Sequence, residues 1–211
     1  MHLNRQQKLE KCLSLTNNFT QQSSNFRSMF LIDKPFVSDF LLETLLENKY
    51  PIVATPDALD LAGDLSLNWV SEIEAQKAIL GQADIPIYTN SENSLVWMVQ
   101  NIGTSSRTKN AQLFKNKEHF RNLIKNSFPD FQYQSISLDE IQTFRPEQSI
   151  FPFVIKPAVG FFSFGVFIIH NYDDWEKAKN ELNYEKLRTI FPKAVLDIST
   201  FIIEEYISGK E

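Results

Sequence analysis

Phe151-Pro-Phe-Val-Ile-Lys-Pro-Ala-Val-Gly-Phe-Phe-Ser-Phe-Gly-Val-Phe-Ile-Ile169 is the stretch whose reading decides the fold. Phe153 to Lys156 is a short apolar run ending in a cation, and Val166 to Ile169 is a second run rich in β-branched residues. Both have the length and composition of strands, and the loop between them holds Gly160, Ser163 and Gly165. Glycine allows positive φ and close backbone approach, so successive N–H groups of such a loop can point at phosphate oxygens. Lys156, closing the first strand, would set a point charge beside the same anion.

Two familiar glycine loops do not fit. Gly160 and Gly165 have Walker A spacing, but Val166 and Phe167 stand where Lys and Ser/Thr should follow, and the next element reads as a strand. The close Gly-x-Gly pair and following helix of a dinucleotide fingerprint are also missing. Taken by itself, the stretch is equally an ordinary hairpin whose glycines only make the turn.

A second stretch, Ser199-Thr-Phe-Ile-Ile-Glu-Glu-Tyr-Ile-Ser-Gly-Lys-Glu211, is another apolar strand that ends in carboxylates and a Ser-Gly turn. The ordered set Phe153-Val-Ile-Lys-Pro157, Gly160-x-x-Ser163-x-Gly165-Val166 and Ile202-Ile-Glu-Glu-Tyr-Ile207-x-Gly209-x-Glu211 resembles the ATP-grasp family. Asn116-Lys-Glu-His-Phe-Arg-Asn-Leu123 further resembles the Asp/Asn-Lys-x-x-x-Arg-x-Leu helix that opens that family's nucleotide domain. The resemblance implies an α/β protein: a Rossmann-like domain over residues 1–108, then the first α+β lobe of an ATP-grasp domain over 109–211. It implies ATP bound through Lys117, Lys156, Gly160, Ser163 and Gly165 at the phosphates. The Glu205 carbonyl and Ile207 amide would meet adenine, Glu204 would support that edge, and Glu211 would hold ribose.

Composition agrees with a globular chain. Its 211 residues are 43% apolar and 22% charged, with a net charge of −5 and no basic stripe for nucleic acid. No run reaches membrane-spanning length, and Met1 to Leu15 lacks a signal-peptide pattern. The lone Cys12 excludes an internal disulfide framework, so a cytoplasmic location is expected. His2, His119 and His170 are too scattered for a metal site.

Along the chain, Arg5 to Leu15 suits a helix and Thr16 to Asn25 a polar linker. Met29 to Ile32, Ile52 to Ala54 and Ile85 to Tyr88 suit strands, the last with Pro86 marking an edge or a strand end. Helices are expected after Ser38 (with Leu41, Leu42, Leu45 and Leu46 at helical spacing), after the Ser71/Glu74 capping box, and from Ser91 to about Gln100. Strands alternating with helices imply a small, mostly parallel sheet. Gly103 to Thr108 reads as a boundary. Beyond it come a helix with Phe120, Leu123 and Ile124 on one face, a strand over Phe131 to Ile136, and a Ser137/Glu140 capping box. A helix capped by Asp173 and Glu176 is expected to run to about Leu182. Phe161, Phe162 and Phe164 depart from the small or polar residues usual in this loop; a core role in the folded loop, a clamp on nucleotide or acceptor, and an exposed contact patch are all open, with packing expected.

The resemblance also implies a reaction: a carboxylate is phosphorylated by ATP with Mg²⁺, and an amine or thiol attacks the acyl-phosphate. The small-molecule carboxylate and amine are the expected partners, with no nucleic acid or membrane, and a homo-oligomer is compatible. The family's Mg²⁺ ligands follow the adenine strand, and the residues given stop at Glu211. Glu181-Leu182-Asn183 precedes that strand and reads as a decoy. The expectation is therefore a portion lacking most of the second lobe and inactive alone. The alternative is a non-catalytic module that binds nucleotide or a partner.

Overall fold

The computed structural model describes residues 26–82, 84–183 and 192–209. The helix expected over Arg5 to Leu15, the linker to Asn25, His2, Cys12 and Glu211 lie outside the described residues. The chain separates into two compact units, Met1–Ser105 and Ser106–Glu211.

The first unit alternates β1 (Met29–Leu31), α1 (Asp39–Glu47), β2 (Ile52–Val53), α2 (Pro56–Ala62), β3 (Trp69–Val70), α3 (Glu72–Gly81), β4 (Ile87–Thr89) and α4 (Ser94–Ile102). The strands form a parallel sheet in the order β3-β2-β1-β4. Parallel neighbours need crossovers, and helices supply them here. Phe30 lies opposite both Ile52 and Tyr88, which sets the register. β4 is at the sheet's edge and begins just after Pro86, which has no amide donor and whose carbonyl accepts from the Met29 amide.

Local sequence chemistry accounts for most of the helix starts. The Ser38 hydroxyl accepts from the Leu41 amide, and Leu42 and Leu45 turn inward while Leu46 stays exposed. Both reciprocal bonds of the Ser71/Glu74 capping box are present. Leu45, Ile52 and Ala58 are fully buried at the centre of the core, with Ile32 and Trp69 around them. Two elements were not expected from sequence: α2, capped by Thr55 with Pro56 at its first position, and the two-residue β3. Ser91 does not start the last helix. Its hydroxyl is engaged with the Lys34 carbonyl and the Asn93 amide, so α4 begins only at Ser94.

The second unit holds α5 (Ser106–Lys115), α6 (Lys117–Ile124), β5 (Tyr133–Ser137), α7 (Leu138–Ile141), β6 (Phe153–Val159), β7 (Phe167–Ile169), α8 (Tyr172–Glu181) and β8 (Asp197–Glu205). Its sheet is antiparallel, in the order β5-β8-β6-β7. β6 extends past Lys156 to Val159. Pro157, in register with Phe201 of β8, is accommodated because its missing donor faces the β7 side, where pairing ends at Ile155. Ser137 and Glu140 form the expected capping box.

Several expectations are corrected here. α8 is capped by Asn171, whose side chain accepts from the Asp174 amide, rather than by Asp173 and Glu176. No residue of α6 is buried: Phe120 and Ile124 are half-buried and Leu123 is exposed. The helix α5 was not anticipated, since it carries few apolar residues to show a period.

Directly opposed residues of antiparallel strands share a sheet face, so the registers sort the second sheet into two surfaces. One face carries Phe153, Ile155, Ile169, Phe201 and Ile203, packed with Trp175 and Ala178 of α8 into the unit's core. Trp175 is fully buried, and its indole N–H donates to the Phe144 carbonyl at 3.3 Å. Leu182 is buried in the same core, which gives the Glu-x-Asn run a packing role. The other face carries Val154, Lys156, Ile168, Ile202 and Glu204, and α6 packs against it at β6.

Candidate functional site

The site grows from that second face. In register, Glu204 of β8 lies opposite Val154 of β6, which lies opposite Ile168 of β7, and Lys156 lies opposite Ile202. Lys156 and Glu204 are therefore diagonal neighbours, close enough for long side chains to meet. The Lys156 ammonium is ion-paired with Glu204 Oε1. The other oxygen, Oε2, accepts from Arg121 Nε at 3.1 Å and Arg121 Nη2 at 3.0 Å. The guanidinium in turn stacks over the Phe131 ring, 4.4 Å from its centroid.

The Glu204 side chain is only 7% exposed, against 20% for Lys156 and 24% for Arg121. A carboxylate this deep requires charge partners, and it has two. A solvated strand-end glutamate is not what the fold contains. Glu205, next along, is exposed, and its amide donates to the Gln132 carbonyl at 3.1 Å. Tyr206 donates its amide to the Pro152 carbonyl at 3.4 Å, and Ile207 is exposed beyond the last ladder pair.

The loop between β6 and β7 folds as two successive turns. The Phe164 amide donates to the Phe161 carbonyl at 3.0 Å, and the Val166 amide to the Ser163 carbonyl at 3.1 Å. Phe162 and Ser163, at the centre of the first turn, have φ of 47° and 56°, and Gly165 has 69°. Only at Gly165 is the side chain's absence also used: a Cβ there would lie 3.1 Å from Pro157 Cγ. Non-glycine residues in this region carry a local energy cost, and such residues cluster where a loop has a task. Lys115, at the end of α5, donates to the Gly160 carbonyl at 3.0 Å and lies over the Phe161 ring. The expected packing of the loop aromatics fails at Phe162, which is 86% exposed because the turn projects it away from the sheet, and at Phe164, which is also exposed.

Lys117 opens α6, one helical turn before Arg121. Lys156, Glu204 and the loop glycines with Ser163 thus come from one hairpin and its neighbouring strand. Glu211 lies outside the described residues. Arg121 and Lys115 were given no role by sequence reasoning, although Arg121 stands within the Asn116-Lys-x-x-x-Arg pattern, a helical turn from Lys117. A cleft of about 450 Å³ opens at the strand ends. Its walls draw on both faces of the sheet, with Tyr133 and Glu204 from the Lys156 face and Gln134, Phe153, Ile203 and Glu205 from the core face. Among the described residues, no group of three or more His, Cys, Asp or Glu is arranged to hold a metal ion. None of their helices is long and apolar enough to cross a membrane.

Residues 149–211 match a family model described as an ATP-grasp domain. No curated protein matches by sequence. Among solved structures, the L-amino acid ligase from Bacillus licheniformis is similar over 89% of this chain and 48% of its own, at 16% identity and a TM-score of 0.55. A phosphoribosylamine–glycine ligase from Thermotoga maritima is similar over 87% of this chain and 44% of its own, at 14% identity and a TM-score of 0.47. The D-alanine–D-alanine ligase from Helicobacter pylori covers 86% of this chain and 67% of its own, at 9% identity and a TM-score of 0.41. The chain spans about half the length of the first of these, and the likeness to it is one of fold. The hairpin and the buried glutamate strand both fall within residues 149–211, the segment that is similar to an ATP-grasp domain.

Proposed function

We propose that this chain contributes the first part of an ATP site in an ATP-dependent carboxylate–amine ligase. The observation that carries the reading is the meeting of Lys156 and Glu204 on the second face of an antiparallel sheet, beside the half-buried Val154 and the exposed Ile168. A planar base needs an apolar floor, a hydrogen-bonding edge and a cation toward its phosphates. Val154 and Ile168 would supply the floor, the main chain at Glu205 and Ile207 the edge with Glu204 beside it, and Lys156 the cation. Gly160, Ser163 and Gly165 would bring loop amides to the phosphates, and Lys117 a second charge from the start of α6.

In this reading the γ-phosphoryl group passes to the substrate carboxylate and ADP leaves. The amine then attacks the acyl-phosphate carbon and expels inorganic phosphate. Positioning and charge stabilisation are nearly all a protein adds to phosphoryl transfer. Mg²⁺, when bound, supplies neutralisation of the developing phosphate charge. The described residues have no carboxylate set that fits it. The first unit, a parallel α/β layer, is read as a Rossmann-like domain that precedes the nucleotide domain. A second reading, a partner-binding module without turnover, draws on the exposed Phe162 at the loop tip.

Calorimetric titration with ATP tests the first reading. Lys156→Ala should weaken binding by about 1.5–3 kcal/mol, the range for a lost charge-assisted contact, and Lys117→Ala should weaken it less. Lys156 sits on a strand held by two neighbours, whereas Lys117 must reach from a helix start. Undiminished ATP affinity in both variants would remove the assignment.

A further inference from the structure

Resting on the nucleotide reading above, we infer that Arg121 is a positioning residue that sets base selectivity. It holds the Glu204 carboxylate at the end of β8, so that Oε1 can accept from an amino group on the base once Lys156 has turned to the phosphates.

The two cations on Glu204 are not equivalent. Arg121 meets Oε2 through two nitrogens, at 3.1 and 3.0 Å, and its planar group is clamped from behind by Phe131 at 4.4 Å. A guanidinium held at several points has little freedom left to lose and resists exchange. Lys156 meets Oε1 with a single ammonium on a flexible four-carbon stem. An incoming phosphate competes for both cations by charge, but only Lys156 can leave at low cost. Arg121 also rises from α6 rather than from the phosphate-loop hairpin, so movement of that hairpin does not drag it away.

The consequence is chemical. An ionised carboxylate only accepts hydrogen bonds, so Oε1, vacated by Lys156, favours a donor on the base and opposes a carbonyl. A purine with a 6-amino group fits that demand, and one with a 6-oxo group does not. Without Arg121, Glu204 would be free to follow Lys156 or to rotate toward water, and the preference would fade. Selectivity at such a site comes from leaving a buried polar group unpaired with the wrong ligand.

The test is titration of the chain with ATP and with inosine triphosphate, which differs at the purine 6-position. The native chain should prefer ATP by roughly tenfold or more, the worth of one hydrogen bond to a charged group. Arg121→Met should bring the ratio to within about threefold while triphosphate binding persists, and Arg121→Lys should recover part of the preference. Phe131→Leu, which removes the stacking ring but keeps every charge, should narrow the ratio as well and serves if Arg121→Met does not fold. Trp175→Phe, a core change, should lower stability and leave the ratio alone. A wild-type ratio in Phe131→Leu together with either folded Arg121 variant would overturn the inference, as would equal affinity of the native chain for the two nucleotides. A native chain that binds neither triphosphate would instead overturn the nucleotide reading, and this inference with it.

Discussion

Replacing Glu204 by glutamine keeps the side chain's shape and deletes its charge, which isolates what the ion cluster does for the second unit. Breaking a buried pair by removing one partner typically costs about 3–5 kcal/mol, because a charge is left buried and unpaired. Here two cations lose their partner, but Lys156 and Arg121 are 20% and 24% exposed, so water reaches both. Solvent access discounts the loss, and about 2–3 kcal/mol is expected. The triple variant Arg121→Met, Lys156→Met, Glu204→Leu should recover most of it, since well-packed apolar replacements of buried ion clusters are often neutral or better. With two units in the chain, one unfolding curve is ambiguous. The assay is therefore urea titration read through hydrogen exchange of β6 and β8 peptides, which report the second unit alone. A change below about 0.5 kcal/mol for Glu204→Gln, the range of ordinary surface substitutions, would refute the claim that Glu204 is a charge the fold must neutralise.

Amides over Val159 to Val166 should exchange quickly without nucleotide and slow when ATP is saturating; unchanged exchange would count against a loop that closes over phosphate. Gly165→Ala should destabilise the second unit by about 1–2 kcal/mol, because φ is +69° and the new methyl would press on Pro157 at 3.1 Å; an unaltered urea midpoint would contradict this. In the first unit, burial pushes the Asp33 carboxyl above its ordinary value, with the Asp57 carboxylate adding to the shift and the Lys34 amide opposing it. Folding thus favours protonated Asp33, and its contribution is full below the unfolded value and lost as pH rises through the folded one. Asp33→Asn should therefore gain stability relative to wild type as pH rises over roughly 3–6, and a gap that shrinks over that range would show the sign to be wrong.

Much of the fold was legible because its signals are local. A hydroxyl at Ser71 or Ser137 with a glutamate three residues on closes its own bonds, so both capping boxes appear as expected. The hairpin was legible for a similar reason, since Gly165 supplies a backbone angle that the turn itself requires. Weak local signals were lost. β3 has two residues, too few to display a period, and α5 has too few apolar residues to show a face. α2 did carry a signal, Thr55 before Pro56, which a closer reading of caps would have found.

What the sequence by itself determined, then, is the order of those elements that carry strong local signals and the presence of Lys156 and Glu204 on two separate strands. Only the tertiary structure decided that they touch, because the register of β6 against β8 sets which residues become neighbours. It alone brought Arg121 to Glu204 across 83 residues and Lys115 to Gly160 across 45. It also reversed one expectation, turning Phe162 and Phe164 out to solvent. The physical reason is the same in each case. Caps and turns are satisfied within a few residues, whereas burial and ion pairing depend on which distant surface a residue meets, and that is known only once the sheet has closed.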